Sequence, residues 1–204
     1  QAGYGGIKKT DHIAIGPYFL SFVGATSFYI AAMNCDVPYM KFLAENGADA
    51  TLATRQHVTP LLIASGIGFI EGEHPGNPSI CLEAVKLAHE LGNDPQAVVD
   101  YADYRVGSPN WNSSTALHGA ATRGADEMVK WLVEKGVPLD AKTEFGMTAW
   151  DIADGSNIAL VFHRWAETAA LLAGMMEERG IPLKVSPARG ANAYAAQRPE
   201  EEVE

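Results

Sequence analysis

Apolar residues recur at helical spacing in several short stretches of the chain, and polar or glycine-rich stretches separate them. In residues 37–46 they are Tyr39, Met40, Phe42 and Leu43, which we predict to face inward. Similar stretches follow at 80–91, around 128–133 and at 166–178. Each is preceded by a shorter apolar stretch that starts just after a threonine. The pattern therefore predicts four pairs of short helices.

The four threonines open these pairs in a shared register. The openings read TSFYIAA from Thr26, TPLLIAS from Thr59, TALHGAA from Thr115 and TAWDIAD from Thr148. The interval between the first two threonines equals the interval between the last two. A threonine caps a helix by accepting a backbone N–H bond. The spacing therefore predicts a tandem repeat in which a threonine caps the first helix of each unit.

Glycines locate the extra residues in the longer interval between the second and third threonines. Gly47 and Gly136 follow their threonines at the same distance, and each is expected to end a second helix in a left-handed conformation. Gly92 lies further from its threonine, which places part of the insertion between the two helices, around 71–79, and the rest after Gly92. The fourth unit carries a further insertion between its helices, near 155–165. All these insertions are predicted to be loops.

With this register, residues 26 to about 180 resemble the ankyrin repeat family, whose motif T-P-L-H-x-A is closest to the opening of the third unit. The interval shared by the two pairs of threonines matches the family's period of about 33 residues. The resemblance is to bacterial-type members with long loop insertions. Two turns depart from the motif, since His57 and Ser113 replace the glycine kept at Gly24 and Gly146. The resemblance implies an all-α solenoid of stacked helix-turn-helix units with β-hairpin-like loops, with repeats at 26–58, 59–114, 115–147 and 148–180.

Both ends of the chain lie outside this register. Residues 1–25 are predicted to be the hairpin remnant of a preceding repeat or an N-terminal arm. Phe28 and its neighbours are no polar cap, so we expect Ile13–Val23, a partner or more of the parent chain to cover them. Residues 181–204 are predicted to be an extended or disordered tail. Because the chain opens at Gln1, a periplasmic or secreted protein is one hypothesis, and the compartment is left unknown.

Composition argues against several classes of function. The formal net charge is −10 and no cluster of Lys and Arg occurs, so we expect no nucleic-acid partner. No apolar run reaches the roughly 18–20 residues of a membrane span. Cys35 stands where the next two units have Gly68 and Gly124, so we interpret it as a small packed residue rather than half of a bridge. The pairing of Cys81 is left open.

The sequence contains no motif for catalysis, a cofactor or a metal. None of the six histidines has a histidine four residues away with a neighbouring carboxylate, as a helical zinc site needs. The patterns G-x-S-x-G, C-x-x-C-H and G-x-x-x-x-G-K do not occur. We therefore predict no enzyme, no cofactor and no metal. The resemblance implies that His118 forms a structural hydrogen bond with the region of Thr115.

What remains is a surface for a protein partner. Ankyrin repeat proteins usually bind ligands on the concave side, which the hairpin tips and first helices form. We expect Trp111, Phe145 and Met147 to be exposed there, and exposed large apolar groups favour a binding role. The repeat register carries this surface to Met33, Asn34, Arg55, Gln56, Val58, Trp111, Asn112, Thr122, Arg123, Glu144, Phe145 and Met147.

The inserted loop at 93–114 offers a second candidate surface. It contains Tyr101, Tyr104 and Arg105 near Trp111, and aromatic residues and arginine are favoured interface anchors. The same residues can equally pack on the base of the loop. The leading hypothesis is a non-catalytic protein–protein interaction module, as a subunit of an assembly or part of a longer ankyrin chain. The alternative is an accessory or inhibitory subunit of an enzyme complex that acts through the inserted loops.

Overall fold

The computed structural model describes residues 20–69, 76–101, 111–156 and 163–184, which contain eight α-helices and no extended strand. The fold of this part is therefore all-α, as predicted. The last helix begins and ends at the predicted residues. The helices are α1 (Ser27–Met33), α2 (Val37–Glu45), α3 (Pro60–Ser65), α4 (Pro78–Glu90), α5 (Ala116–Arg123), α6 (Asp126–Glu134), α7 (Ala149–Ala153) and α8 (Ala166–Glu178).

The helices pack as four pairs in two rows. Each odd-numbered helix contacts the even-numbered helix that follows it, which makes one pair per unit. The odd-numbered helices also contact one another in chain order, and so do the even-numbered ones. Such nearest-neighbour stacking is how a solenoid builds one continuous core from units too small to fold alone. The small residues at 31–32, 64–65 and 120–121 are buried along the row of first helices.

Threonine begins each first helix, as the register predicts. In the first two units the hydroxyl oxygen accepts a backbone N–H three residues ahead, from Tyr29 to Thr26 at 3.1 Å and from Leu62 to Thr59 at 3.2 Å. These bonds satisfy a donor that the first helical turn leaves without an intrahelical partner. The glycines predicted to end second helices, Gly47, Gly92 and Gly136, do have positive φ values.

The third and fourth units add a reciprocal bond from the backbone of the capping threonine. The N–H of Thr148 donates to Oδ2 of Asp151 at 2.9 Å, and the N–H of Thr115 donates to Nδ1 of His118 at 3.0 Å. Because Nδ1 accepts, the ring proton lies on Nε2, which donates to the carbonyl oxygen of Met147 at 3.2 Å. The structural role implied for His118 is thus confirmed, and the ring also holds the turn that leads into α7.

A disulfide joins the first two units. The interpretation of Cys35 as an unpaired packed residue is wrong, because it is bonded to Cys81 with the two Cα atoms 4.9 Å apart. Cys35 has the left-handed φ of 53° in the turn between α1 and α2, which keeps the geometry of the glycines at its register positions. Cys81 lies in the first turn of α4, and α1 contacts α4. The turn and the helix start therefore meet.

The prediction that Tyr39 and Phe42 face inward is wrong. Their exposed fractions are 46% and 55%, and their rings stack with centroids 6.0 Å apart. Helix α2 is the second helix of the first unit, at one end of the described array. It is contacted by α1 and α4. Met40 faces these helices and is fully buried. A helix at the end of a described array buries a narrower stripe than one with a neighbour on both flanks.

Helices α3 and α5 approach most closely at Gly119. A Cβ atom built there would lie 2.5 Å from Oγ of Ser65 and 2.9 Å from the backbone nitrogen of Ile67. Both neighbours are buried, so neither atom can move away freely. The missing side chain therefore sets the spacing between the second and third units.

Substituting Gly119→Ala is expected to lower the free energy of unfolding by about 1–3 kcal/mol, because overpacking forces the two helices apart. Urea denaturation followed by circular dichroism measures this change. Gly174→Ala is the matched control, since Gly174 also lies within a helix but its Cβ would meet nothing within 4 Å. The control should gain up to about 1 kcal/mol from helix propensity alone. Equal changes in the free energy of unfolding for the two substitutions would contradict the close approach of α3 and α5 at Gly119.

Candidate functional site

Four tight turns precede the first helices and lie side by side. We call them the turn row, defined by residues 22–25, 54–58, 98–101 with 111–114, and 143–147. Backbone N–H groups of one turn donate to carbonyl oxygens of the turn before it. These bonds join Arg55 to Val23 at 2.8 Å, Asp100 to Gln56 at 3.3 Å and Glu144 to Asn112 at 3.0 Å. The turn row is therefore held together by backbone hydrogen bonds as well as by the helices behind it.

The two turns that lack the motif glycine keep its geometry. Gly24 and Gly146 have φ values of 88° and 76°, and His57 and Ser113 have 54° and 63°. A residue with a Cβ atom can enter the left-handed region at a modest cost. The departures from the motif therefore leave the shape of the turn row unchanged.

The outward side of the turn row is polar and carries both signs of charge. Arg55 and Glu144 are exposed, and Phe145 is half-buried. His57 and Asp100, which we did not select from the sequence, are also exposed, with Nδ1 of the histidine 3.8 Å from Oδ2 of the aspartate. The insertion that precedes Asp100 breaks the repeat spacing, so the register alone could not place this residue beside His57.

Two residues predicted to meet a partner instead tie the turns to each other. The side-chain oxygen of Gln56 accepts the backbone N–H of Ser21 at 2.7 Å, and this glutamine is fully buried. Asn112 accepts the N–H of Tyr101 at 3.0 Å and donates to Oε2 of Glu144 at 2.9 Å. Both side chains therefore stabilise the turn row from within.

The expectation that Trp111 and Met147 are exposed is wrong. Their exposed fractions are 0% and 1%, and Val58 and Tyr101 are also fully buried. The large apolar side chains of the turns lie in the core, while polar residues beside them such as Glu144 face water. Of the three apolar residues expected to be accessible, Phe145 alone keeps part of its surface in solvent.

The first helices contribute little accessible surface at the predicted positions. Thr122 is buried, and its hydroxyl donates to the carbonyl oxygen of His118 at 2.8 Å. Met33 has an exposed fraction of 9%, and the side-chain amide of Asn34 donates to the carbonyl oxygen of Ile30 at 2.8 Å. Arg123, the last residue of α5, is also buried. The predicted loop residues Tyr104 and Arg105 lie outside the described residues.

Most of the two chain ends also lies outside the described residues. Residues 1–19 and 185–204 are outside the described part. Within the segment Ile13–Val23, Leu20 and Ser21 are described and buried, and Phe28 beneath them is buried as well. The described end of this segment therefore packs on the array.

The described residues hold no group of three or more His, Cys, Asp or Glu side chains placed to bind a metal ion. None of their helices combines the length and the apolar character that crossing a bilayer requires.

Residues 101–153 match the family model for ankyrin repeats. This segment resembles ankyrin repeats. The chain is also similar to the transient receptor potential cation channel subfamily A member 1 homolog of Caenorhabditis elegans, with 26% identity over 143 residues. That match covers 69% of this chain and 10% of the relative, so the chain spans only a small part of that protein's length. Ankyrin repeats indicate a protein–protein interaction module, and the family is generally non-catalytic.

Proposed function

We propose that this ankyrin-repeat module binds a protein partner through the outward side of the turn row, with Arg55, His57, Asp100, Glu144 and Phe145 as its contacts. The observation that carries the proposal is the sorting of side chains along the turns. Buried neighbours fill the core or bond turn to turn, whereas these five keep surface in solvent. They come from three of the four turns, so a partner lying along the row would meet all of them.

The backbone hydrogen bonds within the turn row favour binding, because they lower the cost of ordering the turns. A partner that binds a loop must usually order it, and that ordering subtracts from the affinity. Here the turn row is already fixed, by backbone bonds such as those from Arg55 to Val23 and from Glu144 to Asn112. The presence of both positive and negative charge along it offers specificity through complementary charges on the partner. Binding through the turn row therefore requires little reorganisation of this chain.

A double substitution tests the turn row. Arg55→Ala with Phe145→Ala is expected to reduce partner recovery about tenfold or more, because arginine and aromatic side chains contribute most of the energy at such interfaces. The measurement is quantitative mass spectrometry of proteins retained by the immobilised chain, with circular dichroism to verify the fold. Lys86→Ala is the control, since this residue lies on α4 away from the turns. Recovery that stays the same in the double variant, or falls equally with Lys86→Ala, contradicts the proposal.

The alternative through the inserted loops gains no support from the described residues. It relied on aromatic anchors, and Tyr101 and Trp111 are both buried at the base of the loop. The role as an accessory or inhibitory enzyme subunit therefore stays a prediction. So does membership of a larger assembly or of a longer ankyrin chain.

The disulfide supports a proposal about the compartment. Structural disulfides persist in oxidising environments and are rare where glutathione keeps thiols reduced. Cys35 and Cys81 are both buried in the core and joined across two units. We propose that the chain folds and works in an oxidising compartment.

A further inference from the structure

A cavity of about 350 Å³ opens where the second, third and fourth units meet. Three of its walls are apolar side chains, those of Phe69, Pro78 and Trp165. Gly76 and Gly124 contribute bare backbone, and Arg123 supplies the one positively charged side chain in the described lining. A cavity of this size accommodates a side chain or a small acid rather than an extended segment.

Arg123 is an unusual residue to find in such a place. Its exposed fraction is 4%, and its Nε–H group has no hydrogen-bond partner among the described residues. The guanidinium carbon lies 4.4 Å above the ring centre of Phe69, so the face of the ion is covered by an aromatic ring. Burial lowers the pKa of Arg123 to about 10, and the group remains charged at neutral pH. A buried cation whose donor is unused lacks the partner that buried charges normally have.

The opposite wall is fixed in position by several bonds. The indole N–H of Trp165 donates to the carbonyl oxygen of Thr122 at 3.0 Å. Its ring covers Gly124 so closely that any side chain at that glycine would overlap it. Arg164, the residue before it, is paired with Asp154 at 2.6 Å. The two aromatic walls and the guanidinium therefore form a preorganised pocket.

The disulfide fixes the third side. A Cβ atom built on Gly76 would lie 3.0 Å from Sγ of Cys81 and 3.2 Å from Cβ of Cys35. The backbone of Gly76 thus rests directly on the bridge, and Pro78 follows at the first position of α4. A side chain at this glycine would press on the bridge, so the close contact depends on the missing Cβ atom.

We propose that this pocket binds a carboxylate attached to an apolar group, with Arg123 bonding the carboxylate while Phe69 and Trp165 hold the apolar part. A carboxylate supplies the acceptor that the free Nε–H lacks, and guanidinium–carboxylate pairs are strong in a low-dielectric site. One cation with largely apolar walls matches a singly charged ligand better than a phosphate. The pocket lies apart from the outward side of the turn row, so this proposal stands independently of the proposed function.

The first test compares an acid with its amide on the unmodified protein. The probes are 3-phenylpropionate and 3-phenylpropionamide, which differ in charge and little in shape. The reporter is the indole N–H signal of Trp165 in nitrogen-edited NMR, assigned with the Trp165→Phe variant, and the signal of Trp131 on α6 is the internal control. We expect the acid to shift the Trp165 signal, and the amide to bind about tenfold to a hundredfold more weakly, as the loss of a charged hydrogen bond requires.

A second arm identifies the source of the carboxylate. A short peptide that ends in phenylalanine with a free carboxylate is compared with the same peptide amidated. Tighter binding of the free peptide than of 3-phenylpropionate points to a protein C-terminus, and the reverse order points to a small free acid. Either order supports the pocket, provided that the amides bind more weakly.

Arg123→Met removes the charged end of the side chain and keeps an unbranched apolar stem, and it is expected to abolish the shift at Trp165. Lys86→Met, an equivalent exchange on the exposed side of α4, should leave it unchanged. If Arg123→Met fails to fold, the comparison of acid with amide on the unmodified protein decides alone. Equal binding of acid and amide, or no shift of the Trp165 signal by either acid at millimolar concentration, overturns the proposal.

Discussion

Replacing Cys35 and Cys81 together by alanine is expected to lower the free energy of unfolding by about 4 kcal/mol. The two residues are 46 positions apart, and the bridge restricts the unfolded chain by closing that loop. Alanine adds no polar group to a site where both cysteines are buried. Urea denaturation of the oxidised protein and of the double variant measures the difference.

Reduction of the unmodified protein supplies the control. A non-thiol reductant such as a phosphine should lower its stability by about the same amount and leave the double variant unchanged, if the loop closure is the cause. A difference below about 1 kcal/mol between the oxidised protein and the double variant would contradict a structural role for the bridge. Loss of the bridge is also expected to loosen Gly76, which lies against it.

The helix pairs could be predicted because their signals are local. A threonine three residues before its backbone partner, a glycine at the end of a second helix and an apolar stripe each depend on a few consecutive residues. For this reason α8 begins and ends where the sequence indicates, and His118 forms the bond with Thr115 that its motif implies. The equal spacing of the threonines in the first and last pairs of units then repeats each signal and makes it recognisable.

The disulfide could not be predicted from such signals, because it depends on how two units stack. Cys35 stands in a glycine-like turn position of one unit, and Cys81 follows an insertion in the next. Their register positions differ, so nothing in the repeat pattern pairs them. The pairing becomes visible only once α1 packs on α4, because this packing brings the turn after α1 to the start of α4.

The candidate surface was predicted at the level of turns but not of side chains. The register places Gln56, Trp111 and Met147 on the turns, and the structure agrees that they lie there. The register cannot tell which of two successive residues points outward, since the turns have no helical or strand period. Arg123 lies at the end of α5, and its burial depends on the close approach of the second unit at Gly66, which the repeat register does not show.

The stability of the array is expected to fall by about 2 kcal/mol between pH 7 and pH 5, and by about 3 kcal/mol at pH 4, through His118 alone. Burial lowers the pKa of its ring from 6.5 to about 4, and the hydrogen bond to the carbonyl of Met147 and the charge of Asp151 oppose that shift without cancelling it. Above pH 6.5 the ring is neutral in both the folded and the unfolded chain. Between pH 6.5 and 4 the unfolded chain binds a proton that the folded chain does not, so acid favours unfolding.

Protonation also has a structural consequence in the third unit. Nδ1 of His118 accepts the backbone N–H of Thr115, and a protonated Nδ1 can no longer accept it. Acid therefore removes the reciprocal cap at the start of α5 in addition to placing a charge in the core. The fourth unit uses the carboxylate of Asp151 in the same place.

Urea denaturation at a series of pH values compares the unmodified chain with His118→Asn. The asparagine oxygen can occupy the place of Nδ1 but does not titrate in this range, so the variant should lose stability at pH 7 yet show a flatter decline toward pH 5. His57→Asn is the control for the exchange itself, because it makes the same substitution at an exposed histidine. If His118→Asn declines with pH as steeply as the unmodified chain, the buried ring is not the group that destabilises the array in acid.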